Sequence, residues 1–184
     1  RFKNKKGEGD TDMSLMYTEE QKALIALVKE MAENEIKPYV KDADEKGECP
    51  KELYKWGFDM GLHMLEVPAE YGGAGLSYET TAMIFEELAK VDAGYAITFV
   101  TSFILAGTKE QGQYFADKVA PGAFAGFALT EPNAGSDPAA MRATAVKDGD
   151  EYILNGTKTF ITNGAVASVF VGFFKTNPAA GHKG

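Results

Sequence analysis

Just past Gly122 the hydrophobic pattern changes its period, and this limits the available folds more than any other feature of the chain. Upstream, apolar residues recur at the three- and four-residue spacing of a helix face. Downstream they alternate, as side chains do on the two faces of a strand. Helices therefore precede strands, which predicts an α+β protein: a helical bundle over 13–121, then an antiparallel, barrel-like β-domain starting in 122–184. Residues 1–12, RFKNKKGEGDTD, mix both charge signs without an apolar run. They read as a disordered tail or a vector-derived scar, not as a signal or transit peptide.

The helical half carries its own punctuation. TEEQ at 18–21 is a capping box, with Thr18 as the cap and Gln21 bonding back. Leu24, Ile25, Val28 and Met31 then form one apolar stripe, and Pro38 ends or kinks the helix and can sit in the first turn of the next, which stops near Gly47. A short helix follows Pro50, with Leu53, Trp56 and Met60 on one face and Gly61 as its stop. Ser77 caps a longer helix whose buried face is Thr81, Ile84, Phe85, Leu88 and Val91. The stretch 95–106 is apolar all round and should lie at the centre of the bundle, and TKEQ at 108–111 opens one more helix.

In the second half, Asp148-Gly149 and Asn155-Gly156 separate the short runs RATAV, EYIL and TKTFIT, which predicts a β-meander with two-residue turns of positive φ. SVFVGFFKT at 168–176 reads as another strand, and the sequence stops eight residues later. An apolar sheet edge left there would be unpaired, so the expectation is the front part of a longer protein.

Composition and motif searches remove several function classes. A net charge of −8 with two arginines, Arg1 and Arg142, argues against nucleic-acid binding. No run approaches the ~20 apolar residues of a membrane helix. Cys49 is the single cysteine, which excludes an intrachain disulfide and points to a reducing compartment. The GGAG at 72–75 lacks the strand context and third glycine of a dinucleotide fingerprint, and no Walker A sequence occurs. Zinc has only Cys49, His63 and His182 to draw on, and His63 reads as a packing residue.

Two segments remain, FALTEPNAGSD at 127–137 and KTFITNG at 158–164. Each reads as a strand that runs into hydroxyl and amide groups. Thr130 and Ser136 offer hydroxyls, Gly135 permits close backbone approach, and Phe160 places an aromatic plane two residues from Thr162. Such a wall suits a flat heteroaromatic ring with a diphosphate tail, although either segment alone reads better as a polar surface loop.

With TEEQ, VPAEYGGAGLS and GTKEQ in the same order, FALTEPNAGSD and NGTKTFITNG make the chain resemble the acyl-CoA dehydrogenase family from Leu15 to Thr176. The resemblance implies a helical bundle, a β-barrel-like domain and a further helical bundle that this sequence lacks. It implies FAD as cofactor, with Phe127, Leu129, Thr130, Gly135, Ser136, Phe160, Ile161 and Thr162 against it, and Ser136 touching acyl-CoA as well. Relatives often carry tryptophan where Phe160 stands.

The implied reaction is α,β-dehydrogenation of an acyl-CoA thioester, with electrons passed to an electron-transfer flavoprotein. The family's base, a glutamate, is expected beyond Gly184, so these residues alone are expected to be inactive and Glu131 reads as a structural or solvated glutamate. A homo-oligomer, commonly a tetramer, is implied, located in the cytoplasm or in the mitochondrial matrix of a eukaryote. Alternatives are a non-catalytic binding or scaffold module of the same fold, and an acyl-CoA oxidase or related flavin monooxygenase. The segment 92–107 contains no arginine, which disfavours a glutaryl-type substrate. Phe99, Phe103 and Leu105 read equally as an acyl pocket for short or medium chains or as helix core.

Overall fold

A computed structural model describes residues 17–100 and 107–184. Five α-helices precede four strands in it: α1 (Glu19–Met31), α2 (Lys37–Lys46), α3 (Lys51–Asp59), α4 (Tyr78–Thr98), α5 (Lys109–Val119), β1 (Ala125–Ala128), β2 (Thr144–Asp148), β3 (Glu151–Asn155) and β4 (Val169–Gly172). Both capping boxes form, Thr18 with Gln21 and Thr108 with Gln111. Ser77 caps α4 by accepting from the Thr80 N–H.

Pro38 does not end the first helix. It follows a π-helical turn over Ala32–Ile36 and sits in the first turn of α2. The glycines at 47 and 61 end their helices at φ 64° and 74°. α4 is two segments meeting at Asp92, which leaves helical geometry and accepts the Tyr95 N–H at 2.9 Å to start the second.

The bundle core is Val28, Ala32, Ile36, Leu53, Ile84 and Leu88, with Tyr95 and Phe99 joining from the end of α4. Phe99 is 1% exposed and packs in an aromatic cluster with Tyr54, Phe58 and Phe124. It is therefore core, while Phe103 and Leu105 lie outside the described residues. His63 is buried edge-on to the Phe58 ring at 5.0 Å, the packing role its apolar setting suggested. Burial pushes its pKa down.

A second core, Met64, Val67, Phe115, Ala116 and Val119, takes Ala125, Val169 and Val171 from the strands against α5. Phe124 reaches the other way, with its ring 4.7 Å from that of Phe58. Bundle and sheet are thus locked on both sides of β1.

The sheet half differs in detail from a simple meander. β2 and β3 form the expected antiparallel hairpin, Asp148 opposite Glu151, with positive φ only at Gly149. β1 and β4 instead pair in parallel, Gly126 opposite Phe170. The chain beyond β4 then bonds to β2, Lys175 donating to Ala143 at 2.8 Å and accepting from Ala145 at 3.0 Å. Asn155-Gly156 makes no hairpin and TKTFIT no strand. Gly156, at φ 139°, passes so close to Ala143 that a side chain there would lie 2.5 Å from its Cβ, and the chain turns away from β3.

Gly57 of α3 faces the Tyr95 hydroxyl and the Phe99 ring. A Cβ at this position would lie 2.5 Å from Tyr95 Oη and displace its 2.9 Å bond to the Leu53 carbonyl. Gly57→Ala is therefore expected to cost about 1–3 kcal/mol through overpacking, read as a lower midpoint in denaturant unfolding.

Candidate functional site

Strand β1 has one strand partner among the described residues, and its outer edge is where the two sequence segments meet. The Phe124 and Ala128 carbonyls accept from Ser168 (2.9 Å) and Phe173 (3.2 Å), so they point toward β4. Alternation along a strand directs Ala125, Phe127 and Leu129 the opposite way. Side chains take the carbonyls at both ends of that edge: Asn163 Nδ2 donates to Ala125 O at 3.1 Å and Lys158 Nζ to Leu129 O at 3.0 Å. Between them lies Phe127, whose N–H and C=O face the same edge.

The segment 158–164 follows this edge without pairing as a strand. Phe160 and Asn163 have φ of 54° and 61°, left-handed values that interrupt an extended run. Thr159 makes a main-chain bond to the Thr130 carbonyl at 2.9 Å, after which the chain turns through Gly164 N–H to Ile161 O at 2.8 Å. Ile161 packs inward over Gly126, where a Cβ would lie 3.4 Å from its Cγ2. Phe160 points outward and is 92% exposed. Asn163 also reaches the Thr98 carbonyl at the end of α4, at 2.9 Å, and so joins bundle, strand and loop.

Glu131 anchors the arrangement. It is 7% exposed, and both oxygens are used: Oε2 accepts the Arg142 N–H at 2.6 Å, while Oε1 accepts the Ala143 N–H at 3.0 Å and Lys158 Nζ at 2.8 Å. Burial alone would raise its pKa. The ammonium and the two N–H groups outweigh that and hold it below the ordinary carboxylate value. A carboxylate so occupied is structural and not a free base. The ammonium in turn has two oxygen acceptors and the Phe174 ring 5.2 Å away.

Phe127 and Thr162 share one cavity of about 180 Å³ with Asn163, Ile97 and Val100. Thr130 stands beside the loop through Thr159, and Leu129 through Lys158. Gly135 and Ser136 lie exposed on the turn beyond the Glu131–Ala134 bridge, with open space where a Gly135 side chain would go. Residue patterns had not singled out Lys158, Asn163, Ile97 or Val100 as site residues. Ile97 and Val100, expected inside an all-apolar helix, are exposed toward the cavity. Their signal was that same excess of apolar residues. Among the described residues no group of His, Cys, Asp and Glu could hold a metal ion, and no helix is long and apolar enough to cross a membrane.

Residues 18–123 match the family model for the acyl-CoA dehydrogenase N-terminal domain and residues 126–184 that for its middle domain. The chain belongs to the acyl-CoA dehydrogenase family. It is 39% identical over 180 residues to the short-chain specific acyl-CoA dehydrogenase of Clostridium acetobutylicum, covering 94% of this chain and 48% of that protein. A glutaryl-CoA dehydrogenase of Mycobacterium smegmatis solved with FADH2 superposes with a TM-score of 0.80 at 32% identity, covering 90% and 45%. A chain in the structure of the electron transferring flavoprotein of Acidaminococcus fermentans superposes at 0.83 with 37% identity, covering 92% and 47%. The chain thus spans about half the length of the curated relatives it matches.

The Glu131 carboxylate has its folded pKa depressed from an unfolded value near 4.5, so its stabilisation is complete above that pH and is lost as pH falls through the folded value. Glu131→Gln should cost on the order of 3–5 kcal/mol at neutral pH by stranding the Lys158 charge. The difference from the unaltered chain should shrink at a pH well below 4.5, as measured by denaturant unfolding.

Proposed function

We propose that the protein to which these residues belong is an FAD-dependent enzyme that dehydrogenates an acyl-CoA thioester between its α and β carbons and passes the electrons to an electron-transfer flavoprotein. The observation that carries this reading is the outer edge of β1, where Phe127 and Thr162 line one cavity. Strand-edge groups are obligatory hydrogen-bonding groups. A flavin ring, with donors and acceptors along one edge, matches the groups offered there, and the exposed Phe160 gives it an aromatic neighbour.

The main-chain groups of Phe127 and Leu129 and the Thr130 and Thr162 side chains would hold the ring, Phe160 and Ile161 would flank it, and Gly135 with Ser136 would meet the diphosphate. Ser136 would also touch the acyl-CoA. Bound FAD supplies two-electron acceptance, and the protein supplies position and field. With the cavity filled, apolar Ile97 and Val100 would exclude water from its wall, which would strengthen polarisation of a thioester carbonyl and make its α proton more acidic.

Glu131 is fully engaged and is not placed to take that proton; the family resemblance implies a glutamate base in residues past Gly184. The similarity to a glutaryl-CoA dehydrogenase holding FADH2 supports the cofactor, and that to a chain in the A. fermentans electron transferring flavoprotein structure supports the acceptor. A homo-oligomer in the cytoplasm, or in the matrix of a mitochondrion, belongs to the same reading.

The complete polypeptide should purify yellow, and its flavin absorption should bleach when a saturated acyl-CoA is added without oxygen. An unbleached flavin across acyl chain lengths would refute the reading. Hydrogen peroxide released in aerobic turnover would instead replace the proposed acceptor with oxygen. Because Phe160 is almost wholly exposed, Phe160→Ala should leave unfolding stability within about 0.5 kcal/mol. Loss of one ring contact should nevertheless weaken FAD about tenfold, measured by flavin fluorescence titration.

A further inference from the structure

We propose that Lys158 and Asn163 are positioning residues that decide which main-chain groups of β1 are left open for the cofactor. The proposal rests on the FAD reading and extends it to two residues that the reading itself does not use. A strand edge without a neighbouring strand offers every second N–H and C=O indiscriminately, to water or to another chain. Here two side chains, five residues apart in one loop, remove the carbonyls on either side of Phe127: Asn163 takes Ala125 and Lys158 takes Leu129. What remains between them is the N–H and C=O of Phe127 and the N–H of Leu129, with Phe127 lining the cavity that Thr162 shares.

The two clasps also set the distance between the facing segments. The loop cannot pair with β1 as a strand, since Phe160 and Asn163 hold left-handed conformations. Thr159 N–H to Thr130 O is a main-chain bond across the gap, and the rest of the alignment is carried by side chains. Each clasp has a second attachment that fixes its own position. Lys158 is held by Glu131, on the far side of Thr130, and Asn163 by the Thr98 carbonyl of the bundle. Without them the Ala125 and Leu129 carbonyls would turn to water and the 158–163 segment would be free to move off the edge. Phe127 and Thr162 would then no longer form one wall.

The test uses the complete polypeptide, stripped of flavin and titrated with FAD. Three variants separate positioning from folding. Asn163→Gly removes the donors but keeps the left-handed backbone without strain. Lys158→Met with Glu131→Leu removes the Leu129 clasp without stranding a buried charge. Lys158→Arg keeps a cationic donor.

The first two variants should raise the FAD dissociation constant about tenfold or more and blur the fine structure of the flavin absorption band, with the far-UV circular dichroism of the unaltered protein retained. Lys158→Arg should recover most of the affinity. If Asn163→Gly, folded, binds FAD within about twofold of the unaltered protein with the same spectrum, the proposal is overturned, even should the charge-free variant fail to fold. An unaltered protein that takes up no FAD at all would instead remove the functional reading, and this inference with it.

Discussion

The buried pair of Glu131 and Lys158 is the constraint around which the cleft is organised. Taking a carboxylate and an ammonium out of water costs several kcal/mol per ion, and mutual attraction offsets this only when the remaining hydrogen-bonding capacity is filled as well. Here it is filled. The carboxylate receives Lys158 and two successive main-chain N–H groups, and the ammonium has a carbonyl as its second oxygen acceptor. An apolar pair could occupy the same space. It could not tie the segment after β1, the approach to β2 and the start of the 158–164 loop to one point. The value of the ion pair lies in alignment more than in net stability.

Alignment also explains why two residues accept unfavourable backbone conformations. Phe160 and Asn163 lie at positive φ, which costs a non-glycine residue on the order of 1–2 kcal/mol each, somewhat less for asparagine. Removing that strain would let the segment extend and pair along β1, closing the edge with a continuous ladder. The strained loop keeps the edge open and sends the Phe160 ring outward. Strain and the buried pair are thus opposite sides of one arrangement: the pair holds the loop near the strand, and the left-handed residues prevent it from becoming a strand.

The parts of this fold that were legible in the sequence are those with a local cause. Thr18, Thr108 and Ser77 begin helices because a hydroxyl three residues before an N–H can cap it whatever the tertiary structure. Gly47 and Gly61 end them for an equally local reason. The parallel pairing of β1 with β4 was not legible, since parallel neighbours have no connecting turn to announce them. KTFITNG alternates like a strand, and only the tertiary demands on Phe160 and Asn163 override that pattern. FALTEPNAGSD stood out in the sequence as a candidate site by its chemistry, and its Phe127 lines the cavity. Lys158 was not, because a lone lysine in an alternating run looks solvent-facing until Glu131 is seen beneath it.

The helical half acts on the site through two contacts that differ in kind. Phe124 precedes β1 and inserts its ring among Tyr54, Phe58 and Phe99, so the strand begins from a point fixed by dense aromatic packing. The other contact is polar. A helix leaves its last carbonyls without intrahelical partners, and at the end of α4 the Thr98 carbonyl is taken by Asn163. The same side-chain nitrogen serves Ala125, the first residue of β1. One amide therefore measures the distance between a helix end and a strand start, while the aromatic cluster fixes the angle. Because interiors are packed too closely to deform smoothly, a shift of α4 toward or away from the sheet has to break one of these contacts. The cavity wall made by Ile97, Val100 and Phe127 is thus tied to the bundle core through Phe124 and through Asn163, which itself lines the cavity.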